Sequence, residues 1–165
     1  MDNLIKEQSG WVLARVWLVS LEQAARDFFG DRPRVFSARA YEYATESFIK
    51  ILDQDFGIKT QKAGSIIEAV KNYIDTGVKG GLFKSSNQFL LEEISPSRVH
   101  LNVTNCPYLN SCKDLVNEGV AVSNLTCARI GCFRSAVRFL ANIDCFYEVV
   151  AFNTDEGCQG IIGKK

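Results

Sequence analysis

Phe89-Leu-Leu-Glu-Glu-Ile-Ser-Pro-Ser-Arg-Val-His-Leu-Asn-Val-Thr104 is where the chain changes period. Val99, Leu101 and Val103 alternate with His100, Asn102 and Thr104, the pattern of a strand with one buried and one wet face. Phe89 to Ile94 supplies its hairpin partner, turned at Ser95-Pro96-Ser97. Everything before this stretch reads helical. Leu4 to Phe29 carries Val12, Val16, Val19 and Leu21 at helical spacing, with Gly30 just past its end. A second helix runs from Ser37, its expected N-cap, to about Phe56, with Gly57 as its stop. A third spans Ala63 to Thr76, with Gly77 as its stop.

Beyond the hairpin, Asn110 to Asn117 reads as a short helix, and Asn124 as the cap of a helix running to Leu140. Cys145 to Phe152 is rich in β-branched and aromatic residues and reads as a strand, paired with Cys158 to Ile162. The order ααα-ββ-αα-ββ predicts an α+β fold, a helical N-terminal half packed on a four-stranded antiparallel sheet. With 165 residues, 47% hydrophobic and 23% charged, the chain has the size and composition of one domain. Nineteen basic residues balance nineteen acidic ones, which argues against non-specific nucleic-acid binding.

The greasiest stretch, Trp11 to Leu21, carries Arg15 and is about half of the roughly 20 apolar residues a membrane span needs. The opening Met1-Asp2-Asn3-Leu4-Ile5-Lys6-Glu7 is polar and mixed in charge, so a cytoplasmic protein is expected. In the cytosol cysteines serve as thiols, metal ligands or core residues rather than as disulfides. In a secreted protein they would pair, and the sequons at Asn102 and Asn124 would matter.

Residues 1–105 contain no cysteine; Cys106, Cys112, Cys127, Cys132, Cys145 and Cys158 all follow. None of their intervals is the C-x-x-C knuckle of a zinc ribbon. Cys132 and Cys145 suit the role of small buried hydrophobes. Cys106, Cys127 and Cys158 fall at the ends of elements, where a thiolate metal site can be built without breaking a core. Such a site points to zinc, with an iron–sulfur centre as the other option. No phosphate-binding glycine loop and no G-x-S-x-G elbow occurs. His100 is the only imidazole, in the middle of a strand.

The tail carries a resemblance. Cys127-Ala-Arg-Ile-Gly131, Asp144-Cys-Phe-Tyr-Glu148 and Thr154-Asp-Glu-Gly-Cys158-Gln-Gly-Ile-Ile-Gly163-Lys resemble the C-terminal half of the 4-vinyl reductase domain family. That family is a small, often dimeric, hydrocarbon-binding α+β fold, akin to the nitric-oxide-binding haem domain. The resemblance covers residues 85–165. It implies a structural zinc beside a ligand pocket, with Cys127, Glu148 and Cys158 on the ligand positions. Sensor members carry a further Cys three residues after the Glu, where this chain has Ala151. Cys106 is the candidate to complete the set, because Val103-Thr-Asn-Cys106-Pro107-Tyr108 is similar to a Cys-Pro segment of the aminothiazoline-carboxylate hydrolase family. Glu148 has an alternative reading, as a carboxylate facing solvent on an uncovered sheet face.

Two functional classes follow. The first is a binding or sensory module with zinc as cofactor and a small apolar or aromatic ligand as partner. Trp11, Trp17, Phe28, Phe29, Tyr41, Tyr43 and Phe48 are the candidates to line its pocket or simply its core. The second is an enzyme, either a hydrolase with a Cys nucleophile such as Cys106 or a reductase fed by a partner. Trp11 and Trp17 are six positions apart and so point about 120° apart. A first helix apolar over so wide an arc predicts a homodimer.

Overall fold

The structure, a computed structural model, describes residues 2–30 and 34–165, with side chains throughout except at residues 2–11 and 15. The fold is α+β. Helices α1 (Asp2–Phe29), α2 (Arg34–Phe56) and α3 (Ile66–Lys79) precede the hairpin of β1 (Phe89–Ser95) and β2 (Arg98–Thr104). Helices α4 (Leu109–Asn117) and α5 (Ala128–Ala141) follow, and β3 (Cys145–Asn153) with β4 (Gly157–Lys164) completes the chain. All pairings are antiparallel and the strand order is β1-β2-β4-β3, so the two hairpins join through β2 and β4.

One sheet face is covered and the other is open. Val99, Leu101 and Val103 of β2, Cys158 and Ile162 of β4, and Cys145, Tyr147 and Val149 of β3 point under the helices and are buried. Leu90, Ile94 and Val150 are exposed, as a single covered face requires. Helix α5 fills the space between the sheet and α2 and α3; Ile130, Phe133, Ala136 and Val137 are fully buried. Phe133 meets Tyr73, Phe83 and Phe89 edge-to-face, with ring centroids 5.2 to 6.1 Å apart. Helices α2 and α5 touch so closely that a methyl group at Gly131 would overlap the Tyr41 ring.

Three helix boundaries differ from expectation. Helix α2 begins at Arg34, because the Ser37 hydroxyl is not a cap: it is buried and donates to Glu22 of α1. Helix α3 starts after Ser65, whose hydroxyl accepts from the Glu68 N–H, and runs on through Gly77 to Gly80. Gly77 is a contact rather than a stop, since a side chain there would strike the Phe83 ring. Asn124 belongs to a short 3-10 turn, and the residue capping α5 is Cys127.

Of the expected pocket aromatics, Tyr41 is buried and Phe48 packs on Tyr73, while Trp17, Phe28, Phe29 and Tyr43 are exposed. The Trp11 side chain lies outside the described residues. No helix among the described residues is long and apolar enough to cross a membrane.

Beside the groove between α2 and β3, Glu42 accepts from Arg39 and Arg138 at 2.6 Å each, and from the buried Arg134. Burial works against the charged carboxylate, but the three guanidinium bonds outweigh it and hold Glu42 at about 2. A carboxyl lowered on folding stabilises above its unfolded value of 4.5, and that stability is lost as pH falls toward 2. Wild type should therefore exceed Glu42→Gln by about 3 kcal/mol at pH 6. The gap should narrow between pH 4.5 and 2, as read from urea unfolding at each pH. A gap constant down to pH 2 would contradict the assignment.

Candidate functional site

The loop Leu125-Thr126-Cys127 is clamped from both sides before α5 begins. Thr126 Oγ1 donates to Glu22 Oε1 and lies 3.1 Å from the Tyr41 hydroxyl, while its carbonyl accepts from Tyr147 Oη at 2.6 Å. Tyr41 also donates to Glu22 Oε1 at 2.9 Å. These bonds seat Cys127 in an unusual backbone conformation, φ 42° and ψ 91°, at the mouth of α5. There its sulfur meets that of Cys158, the second residue of β4, at 3.7 Å.

The pair is polarised. The hydrogen bond shared with Cys158, the N–H groups of Ile130 and Arg129 and the Arg129 charge together overcome burial and pull Cys127 down. Cys158 is pushed up by the hydrogen bond it shares with Cys127, by burial and by the charge of Cys127. Cys106, two residues beyond β2, is raised to about 11 by burial and then by Cys127. Cys112 of α4 is raised by burial and then by Cys127 and Cys106. Cys106, Cys112 and Cys132 thus each feel the charge of Cys127 in addition to their own burial. Beside Cys112 and Cys127, Glu22 lines a small gap, buried, its Oε2 without a hydrogen-bond partner among the described residues.

Of the expected ligands, the structure brings the sulfurs of Cys127 and Cys158 into contact; Cys106 only feels the charge of Cys127, and Glu148 lies apart. It sits opposite Ile161 on the open sheet face and is exposed, whereas Cys158 points under the helices. Strand alternation puts Tyr147 and Val149 on the covered face, so no rotamer of Glu148 reaches the thiols. The solvent-facing reading of Glu148 is the correct one. Cys145 stands apart from the pair, fully buried with its thiol directed at the Arg134 carbonyl, whereas Cys132 is raised by burial and also by Cys127. His100 lies on the open face, opposite Ile161 and Glu92.

Two members escaped the sequence reading. Cys112 shares the inner face of α4 with Ser111 and Leu115, a signal present in the helical spacing of that segment. Glu22 looks like an ordinary surface charge, and only the tertiary bonds to Thr126 and Tyr41 reveal its burial.

The donor chemistry suits zinc, which favours thiolates. Two sulfurs on a tetrahedral zinc with bonds of about 2.3 Å lie roughly 3.8 Å apart. The 3.7 Å between Cys127 and Cys158 matches one edge of that figure and is far from a disulfide. As the side chains stand, no three His, Cys, Asp or Glu groups among the described residues are close enough to hold an ion. Cys106 and Cys112 would have to swing inward to complete a centre.

Two hollows border this region. A groove of about 650 Å3 runs between α2 and β3, lined by Val35, Ala38, Cys145, Phe146 and Tyr147 together with the charged Arg34, Arg39, Glu42, Arg134, Glu148 and Lys165. A cleft of about 970 Å3 opens at the N-terminal end of α5. Comparison with family models, with curated proteins and with solved structures yields no match.

Proposed function

We propose that this protein is a small-molecule-binding or sensory module whose thiol cluster is a structural zinc centre. Cys127 and Cys158 form one edge of the centre, and Cys106 and Cys112 complete it, replacing the carboxylate that Glu148 was expected to supply. The sulfur–sulfur distance of 3.7 Å carries this reading. The groove between α2 and β3 suits a small aromatic ligand: Ala38, Phe146 and Tyr147 offer apolar surface among charged side chains, and it lies where the helical half meets the sheet. Zinc at the mouth of α5 would fix the Thr126 loop, which Tyr147 ties to the groove wall. A reducing, cytoplasmic setting belongs to the proposal, since a free thiol pair this close is oxidisable elsewhere.

Native mass spectrometry of the protein, purified without chelator, tests this in one measurement. One zinc per chain with retained small molecule supports the module; a metal-free mass and six ordinary thiols reject it.

An enzymatic reading draws on one observation, the lowered thiol of Cys127 at the N-terminus of α5. It shifts the nucleophile from Cys106, whose thiol is raised to about 11. At 6% exposure Cys127 gives a substrate little access. One thiol alkylated much faster than the rest at neutral pH would favour this reading.

The partner proposed for the first helix is a second copy of the chain. Val12, Leu13, Val16, Trp17 and Leu21 are exposed along α1, and the stacked Phe29 and Phe36 extend the patch onto α2. Sedimentation at micromolar concentration should give twice 18.4 kDa, and Trp17→Glu should return the monomer. A wild-type species at 18.4 kDa would remove the dimer.

A further inference from the structure

Helix α5 carries two buried arginines in contrasting circumstances. Arg134 is satisfied: it pairs with Glu42, and its Nε donates to the Cys145 carbonyl at 2.7 Å. Arg129, only 5% exposed, has no carboxylate partner among the described residues, and its Nε makes no hydrogen bond. Its guanidinium lies 4.4 Å from the Phe83 ring centroid and 5.4 Å from that of Tyr108. Stacking of this kind orients a guanidinium and offsets only part of the cost of burying it. Its charge is felt by the neighbouring Cys106, Tyr108 and Cys127, each of which it lowers.

Arg129 lines the cleft of about 970 Å3, together with Lys84, Ser85, Asn87, Gln88 and Asn105. The lining has two cations, several hydrogen-bond donors and no acidic residue. Lys84 is exposed and makes no ion pair among the described residues. The wall is also held in place. Ser85 and Gln88 form a reciprocal capping box, and Gln88 Nε2 donates to the Asn105 carbonyl at 3.1 Å, joining the turn to the end of β2. A rigid, donor-rich, acid-free hollow ending at an unpaired buried guanidinium lacks one component, an anion.

We infer that this cleft binds the oxyanion group of a small molecule, a carboxylate or a phosphate, on the Arg129 fork with Lys84 as the second charge. The planar guanidinium suits two-point contact with either group, and Lys84 at the rim supplies attraction from solution. This is a second ligand site, separate from the groove between α2 and β3.

Titration of the full chain as purified, followed by 15N-labelled amide shifts, tests the inference with benzoate, inorganic phosphate and uncharged benzamide. At least one anion should saturate, shifting amides of Lys84 to Gln88 and of Ala128 to Ile130, with benzamide about tenfold weaker or worse. Preference for benzoate or for phosphate identifies the group. Lys84→Ala, on an exposed position, should weaken binding about three- to tenfold while leaving zinc content unchanged. Arg129→Lys, which keeps charge and loses the fork, should weaken it about tenfold or more. No saturation by either anion up to the order of 10 mM, or equal affinity in wild type and both variants, would overturn the inference. Arg129 would then serve only the neighbouring sulfurs.

Discussion

Cys127→Ser and Cys158→Ser are each expected to abolish zinc binding and to lower the thermal midpoint by roughly 10 °C. A metal that binds the folded chain and not the unfolded one adds its binding free energy to stability, so removing a ligand subtracts it. Losing about 3–4 kcal/mol in a domain of this size corresponds to a midpoint shift of that order. Two further variants sharpen the assignment. Cys112→Ser should lower zinc content, because that thiol feels Cys127 and lines the same gap, whereas Glu148→Gln should not, because it faces solvent across the sheet. Cys145→Ser should leave metal content intact, since its thiol is directed at the Arg134 carbonyl. Metal content by plasma emission and midpoints by calorimetry on the same samples decide the matter. Wild-type zinc with unchanged content in Cys127→Ser would move the centre elsewhere.

Gly157→Ala is expected to be as damaging from the backbone side. Gly157 has φ 137°, a conformation closed to residues with a side chain, and an added Cβ would run into the Val103 carbonyl oxygen. Neither neighbour can yield, because Gly157 pairs with Thr104 on one side and Asn153 on the other. A loss of about 4 kcal/mol is expected from strain and clash together. Since the next residue is Cys158, zinc affinity should fall with stability even though no ligand is changed. A midpoint within about 2 °C of wild type would show that the turn relaxes without cost.

The fold was legible because its deciding signals are local. The alternation of Val99, Leu101 and Val103 reports one covered face without knowledge of what covers it. The errors arose where a residue serves a distant neighbour. Ser37 looks like a cap and instead bonds Glu22; Gly77 looks like a stop and instead admits the Phe83 ring. The same distinction divides the site. Cys127 and Cys158 were readable from their place in a pattern, and the structure puts them together. Glu148 was misplaced because β3 has apolar residues on both faces, Tyr147 and Val149 inside, Phe146 and Val150 outside. Alternation alone cannot tell which row is covered there. Cys112, Glu22 and Arg129 owe their significance to contacts across the fold, which no spacing within one element encodes.

The strand order β1-β2-β4-β3 also sets a timetable. Each hairpin is local and can zip on a timescale of roughly microseconds. The β2–β4 seam joins segments roughly 60 residues apart, so it must wait for the intervening helices to condense. The thiols straddle that seam: Cys106 follows β2, Cys158 lies in β4, and Cys112 and Cys127 belong to the chain enclosed between them. They become neighbours only once the seam closes. An ion seized earlier, by whichever sulfurs the nascent chain happened to offer, would bind the hairpins before they had found each other. On the proposed zinc centre, metallation would be a final event of maturation, and the metal a latch on a sheet that has already formed.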